Sequence, residues 1–261
     1  MSLNFIKLKI KTIIRFFKKR NIEKKFDKDL GLYRFKKDNK FLYSNTHAHF
    51  DSYYKKIFVE EIYKFISETE SPNIIDCGAN IGLGVHFWKI EFPNSKIIAF
   101  EPDPVIFKAL IKNSENFSNI ELVNKAVSNT VSTKKFSSNE KLSGSLNLTK
   151  KLDKVIEVNT VLLSTYINQK IHLLKIDIEG EENIVIPEIE QKLYLVENIF
   201  IEYHSFINQD QSLSKILRIL EINGFRYYLE SEVNKQHPFI NNNAILNQDL
   251  QINIWAKKNH E

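Results

Sequence analysis

A single cysteine, Cys77, in 261 residues leaves no partner for an internal disulfide and no thiolate set for a soft metal, which fits a reducing, cytoplasmic compartment. No run of about 18 uncharged apolar residues is present, so no helix able to span a bilayer is expected. The uninterrupted apolar region of a signal peptide is missing too, because Lys7, Lys9, Lys11 and Arg15 break it. Internal repeats are absent. At 261 residues the chain can bury one α/β core with additions, and it is too short for two large domains.

Positive charge is plentiful and unevenly placed. The net charge is +5, and seven Lys or Arg residues fall between Lys7 and Arg20 alone. Among them Leu3, Ile6, Ile10, Ile13, Ile14 and Phe17 recur at helical spacing. Residues 1–20 are therefore expected to form a basic amphipathic helix, suited equally to an anionic membrane surface or to packing on protein. Residues 21–70 read as a small N-terminal helical cap. It comprises a polar, turn-rich stretch from Asn21 to Phe50 and a helix from Tyr54 to Ser67 that ends before Ser71-Pro72.

Residues 71–261 read as the main domain. Short apolar runs at Ile74–Cys77, Lys96–Phe100, Ile120–Ala126, His172–Ile176 and Asn198–Tyr203 alternate with helical patterns, the signature of βα units and a doubly wound, mostly parallel α/β sheet. Asp103-Pro104 begins a helix running to about Asn116, and Leu213–Ile222 forms another, stopped by Gly224 before strands at Phe225–Leu229 and Ile252–Ala256. Ser128–Lys154, rich in Ser, Lys and Asn, reads as an inserted loop or hairpin.

Three segments carry chemistry. DCGANIGLG, Asp76 to Gly84, stands where a strand gives way to a helix, so its glycines let backbone approach a ligand. Gly78, Gly82 and Gly84 make G-x-x-x-G-x-G, whereas a dinucleotide site prefers G-x-G-x-x-G, which demotes a dehydrogenase. Glu101, after the next strand, stands where an acid accepts both ribose hydroxyls, implying an adenosine-containing ligand. LLKIDIEGEE, Leu173 to Glu182, and FIEYH, Phe200 to His204, place Asp177 with Glu179, and Glu202 with His204, at strand ends opening into the same crevice.

In these segments, from about Pro72 to His204, the chain resembles the FkbM family of methyltransferases: the D-x-G-A-N-x-G turn, the Glu-Pro pair, K-I-D-I-E-G and I-E-x-H. The resemblance implies a seven-stranded, Rossmann-like class I methyltransferase sheet using S-adenosylmethionine. Asp76, Gly78, Ala79, Asn80 and Gly82 would hold the methionine part, Glu101 the ribose, and Ala126 would lie near adenine. Glu181 departs from the pattern, where a small residue usually follows the Gly, and predicts a more acidic entrance near Gly180.

The expected reaction is methyl transfer to a hydroxyl of a glycan, lipid-linked sugar or secondary metabolite. His204 is the expected base, oriented by Glu202 or Asp177. Asp177, Glu179, Glu202 and His204 also offer a hard ligand set for Mg²⁺ or Mn²⁺. His47 and His49, with Tyr53 and Tyr54, are expected on the acceptor side, while His86 and Trp88 read as packing residues. Nucleic acid is the main rival acceptor, given the basic charge. No Asp/Asn-Pro-Pro-aromatic segment and no Pro-Cys nucleophile support base methylation, which leaves a ribose oxygen or a protein side chain. A catalytically silent binding module is the alternative from another class.

Overall fold

The computed structural model describes residues 23–37, 40–47, 50–138, 144–145, 154–207, 209–232, 237, 239–240 and 247–259. The basic helix expected over residues 1–20 lies outside them.

The expected helical cap is largely a sheet. Strands β1 (Glu23–Asp27), β2 (Leu32–Lys37) and β3 (Lys40–Ser44) form an antiparallel three-stranded sheet, followed by one helix, α1 (Phe50–Phe58). The physical reason is a period of two within Leu32–Lys37: Phe35 and, opposite it, Leu42 turn inward and are buried, while charged neighbours face out. Phe35 stacks on Phe50 with ring centroids 3.9 Å apart, which docks the sheet on α1.

The helix expected over Tyr54–Ser67 begins at Phe50 and stops at Phe58. Glu61 adopts a left-handed conformation, with φ 55°. Beyond it the carbonyls of Ile62 and Tyr63 accept the indole N–H groups of Trp255 at 2.8 Å and Trp88 at 3.2 Å. Tertiary partners thus take carbonyls that a continuing helix would use.

The core then runs β4 (Asn73–Cys77), α2 (Leu83–Glu91), β5 (Lys96–Phe100), α3 (Pro104–Ser114) and β6 (Ile120–Val123). The insertion that follows contains β7 (Ala126–Ser128), β8 (Thr133–Ser138), β9 (Gly144–Ser145) and β10 (Lys154–Leu162). The core resumes with β11 (Leu173–Ile176), α4 (Glu182–Glu188), β12 (Asn198–Phe206), α5 (Leu213–Ile222), β13 (Phe225–Ser231) and β14 (Gln248–Lys258). The seven-stranded sheet has the order β13-β14-β12-β11-β4-β5-β6, parallel except for β14, which runs antiparallel to both neighbours. This is the class I methyltransferase arrangement that the sequence implied.

Helices cover both faces. On one side Ile186, Ile216 and Leu220 pack on Ile75 and Ile201; on the other, Trp88, Ile106 and Leu110 pack on Ile74 and Ile97. Full burial of each such side chain stabilises by roughly 1.5–3 kcal/mol. The strand expected over Ile120–Ala126 breaks at Val123, and Ala126–Ser128 leaves to pair with β10 in a second, four-stranded sheet. Within that sheet β8 and β10 are antiparallel, so the inserted segment is a hairpin. No helix among the described residues is long and apolar enough to cross a membrane.

Candidate active site

The β4–α2 turn is shaped by what it must pass. Gly78 has φ +80°, and a Cβ there would sit 1.8 Å from the Asp177 carbonyl oxygen, so only glycine allows the turn to cross the end of β11. The N–H groups of Gly78 and Ala79 both donate to the Phe100 carbonyl, at 3.0 and 2.8 Å, tying the turn to β5. Gly82 serves differently from expectation. It faces α3, where a Cβ would meet Leu110 Cδ1 at 2.7 Å, and it does not line the cavity.

Beneath this turn lies a lysine that the sequence reading passed over. Lys175 Nζ lies 3.2 Å from Asp76 Oδ1 and 3.5 Å from Asp177 Oδ2, and it donates to the Gly78 carbonyl at 2.6 Å. Burial opposes its charge, but Asp76 and Asp177 outweigh burial and hold Lys175 well above its ordinary range. Burial likewise raises Asp76, against the pull of Lys175. The signal available in the sequence was a lysine in the middle of an otherwise apolar strand, where an unpaired charge is costly.

Glu101 is buried, and burial pushes its carboxyl up to about 8. Its two oxygens accept the N–H groups of Asn80 at 3.0 Å and Asp103 at 2.8 Å. Asp103 in turn caps α3, accepting from Val105 and Ile106.

Across the crevice, His204 is buried and its Nδ1 lies 3.2 Å from Glu182 Oε1. Glu182, not expected at the site, also accepts the N–H groups of Ile178 at 3.0 Å and Gly180 at 2.9 Å, and so fixes the loop carrying Glu179. Glu179 itself is held at φ 56°, a conformation that costs a non-glycine residue energy and concentrates at functional sites. Burial disfavours the imidazolium, yet Glu182 and Glu179 overcome it and raise His204 well above 6.5. Glu202 Oε1 lies 3.9 Å from His204 Nε2 and accepts a hydrogen bond from Gln251. Burial, reinforced by Asp177, pushes Glu202 up to about 7. His204 is therefore oriented by Glu182, rather than by the expected Asp177, whose ion-pair partner is Lys175.

Of the four expected hard-metal ligands, Asp177, Glu179 and His204 bring one ligand atom each within 4.8 Å of one another, and Glu202 stands outside that group. The acidic entrance expected at Glu181 is compensated: its Oε2 lies 3.5 Å from Lys134 Nζ and accepts Ser128 Oγ at 3.0 Å. This contact fastens the inserted sheet to the start of α4.

One cavity of about 580 Å³ joins both halves. Asp76, Gly78, Ala79, Asn80 and Glu101 line one end, and Asp177, Glu179, Glu202 and His204 line the other. Ala126 contributes despite the broken strand, together with Phe136 from the insertion. Tyr53 lines the cavity, whereas Tyr54 stacks on Phe58, His47 is exposed and His49 lies outside the described residues. His86 and Trp88 are buried among aromatic rings, as packing residues should be.

Comparison with known proteins agrees with this architecture. The family model described as Methyltransferase FkbM domain matches residues 76–227. Methyltransferase sdnD of Sordaria araneosa is 26% identical over 191 residues, covering 57% of this chain and 73% of that protein. Methyltransferase 1 of Beauveria bassiana is 23% identical over 205 residues, covering 68% and 81%. Among solved structures, the FkbM methyltransferase of Methylobacillus flagellatus superposes with a TM-score of 0.47 at 14% identity, over 73% of this chain but only 45% of that one.

Proposed function

This chain belongs to the FkbM methyltransferase family and is an S-adenosylmethionine-dependent methyltransferase; from that premise we propose that it methylates a hydroxyl oxygen of a glycan, lipid-linked sugar or secondary metabolite. The observation that carries the reading is the convergence of Glu202, His204 and Asp177 on the same cavity as the cofactor turn. The residues present fit the cofactor. The cradle at Gly78 admits close backbone approach, the buried Asp76 suits a cationic amino group, and Glu101 faces the cavity as an acceptor for ribose hydroxyls. When bound, the cofactor supplies an activated sulfonium methyl, whose bond to sulfur breaks as the bond to the acceptor oxygen forms.

The residues of this chain then align the hydroxyl and take its proton. Alignment can supply about 7–11 kcal/mol, against about 10² to 10⁴ in rate from a positioned base. The charge on His204 moves the base from the imidazole to Glu202. A carboxylate at about 7 is matched to proton abstraction near neutral pH, and the imidazolium of His204 donates to the acceptor or to the carboxylate.

The test is methyl transfer from labelled cofactor to hydroxylated sugars and metabolites. Turnover should rise with pH through about 7, as Glu202 loses its proton. Glu202→Gln should lower turnover by about a hundredfold or more and leave cofactor affinity within about threefold. A product methylated on nitrogen, or full activity in the variant, overturns the reading. Activity abolished by a chelator and restored by Mg²⁺ or Mn²⁺ would transfer the role to a metal at Asp177, Glu179 and His204.

A further inference from the structure

The cap sheet has two unlike faces. Residues directly opposite in an antiparallel pair project to the same side. The register sets Lys25 opposite Arg34, Arg34 opposite Tyr43, and Lys36 opposite Phe41. These five therefore share one face, while Phe35 and Leu42 lie on the other, buried against the body of the protein. On the outward face Lys25 and Lys36 are exposed and Phe41 is 45% exposed. The Arg34 guanidinium lies 4.7 Å from the Phe41 ring centroid. Lys112 of α3 extends the surface, 5.5 Å from the Tyr43 ring and next in sequence to the exposed Ile111. The acids Asp27 and Asp29 stay at the turn end, where Asp27 accepts the N–H groups of Asp29 and Leu30.

We propose that this outward face of the β1–β2–β3 sheet docks on an anionic lipid bilayer. Three lines of argument converge on lipid. The face joins cations to protruding apolar side chains, the pairing that suits a headgroup boundary. Phe41 offers no free ring face for stacking a base, because Arg34 covers it, which disfavours single-stranded nucleic acid. In the sequence, the seven basic residues between Lys7 and Arg20 directly precede β1. Three residues of chain reach only about 11 Å, so those charges must begin beside this sheet. The inference is independent of the acceptor and of the chemistry in the cavity.

The experiment uses the full chain and vesicles of phosphatidylglycerol with phosphatidylcholine, at low salt. Lys25→Ser, Arg34→Ser and Lys36→Ser combined, with residues 1–20 intact, should weaken co-sedimentation by on the order of a hundredfold, since each basic group near such a surface contributes about fivefold. Cofactor affinity and Tm of the triple variant should match the parent, because all three side chains point away from the core. A second variant reads the face directly: Phe41→Trp should gain a blue-shifted emission on anionic vesicles and none on pure phosphatidylcholine. Undiminished vesicle binding by the triple variant overturns the proposal. So does an unshifted emission from the Phe41→Trp variant, or tighter binding of the parent to single-stranded RNA than to the vesicles.

Discussion

Glu101 holds two backbone N–H groups while buried, and that fixes how it responds to pH. Its carboxyl is raised from 4.5 to about 8, so the folded protein retains the proton more tightly than the unfolded chain. The corresponding stability is fully present below about 4.5 and is lost as pH rises through about 8. In Glu101→Gln that component vanishes. Without cofactor, the Tm of the parent should therefore fall relative to the variant between about pH 5 and pH 8, by at least about 3 °C. Glu202, raised to about 7, contributes in the same direction in both proteins and cancels in the comparison. Calorimetry at fixed pH gives the second readout: Glu101→Gln should bind S-adenosylmethionine at least about tenfold more weakly, because one acceptor becomes a donor facing the ribose. Equal affinity would remove Glu101 from the ribose site.

Between elements, Asn113 is the joint to break. Its side chain accepts the N–H of Tyr43 at 2.7 Å and donates to the carbonyls of Tyr43 at 2.8 Å and Ile81 at 2.7 Å. One residue of α3 thus pins both the edge of the cap sheet and the cofactor turn. Asn113→Leu strands buried backbone groups at about 1–3 kcal/mol each. Limited proteolysis should then cut the cap within residues 23–47 well before the core, and cofactor affinity should drop severalfold. A protease-resistant cap would mean that the Phe35–Phe50 stack suffices. Asn113 also marks where sequence reading stops. The five strands of the parallel sheet and the glycine turn were legible because burial on both faces leaves unbroken apolar runs such as Ile74–Cys77. Asp177, Glu179, Glu202 and His204 were legible from strand alternation. Asn113, Lys175 and Glu182 were not, since their partners lie 70, 97 and 22 residues away. The cap sheet hid behind its charged outer residues, and the helix over Tyr54–Ser67 failed because two indoles compete for its carbonyls.

Across the whole molecule, both apolar clusters are assembled from residue 32 onward: Leu32, Phe35 and Phe50 seat the cap, and the sheet strands with α2 to α5 supply the rest. Residues 1–20 lie outside the described part, and their apolar stripe would serve a membrane or a protein partner alike. The two uses separate on deletion of Met1–Arg20. If the stripe faces lipid, the shortened chain keeps its core intact. Its Tm should stay within about 3 °C of the parent, which for a chain of this size corresponds to about 1 kcal/mol, and methyl transfer to a soluble acceptor should persist. Binding to anionic vesicles should weaken strongly, because seven cations leave with the segment. What binding remains should then vanish when Lys25, Arg34 and Lys36 are also neutralised, since the cap face is the other basic surface in this region. Added salt should loosen the parent too, because the Debye length shrinks to about 3 Å at 1 M. A shortened chain that melts more than about 10 °C lower, or that precipitates with its cofactor present, would show instead that the stripe completes the fold.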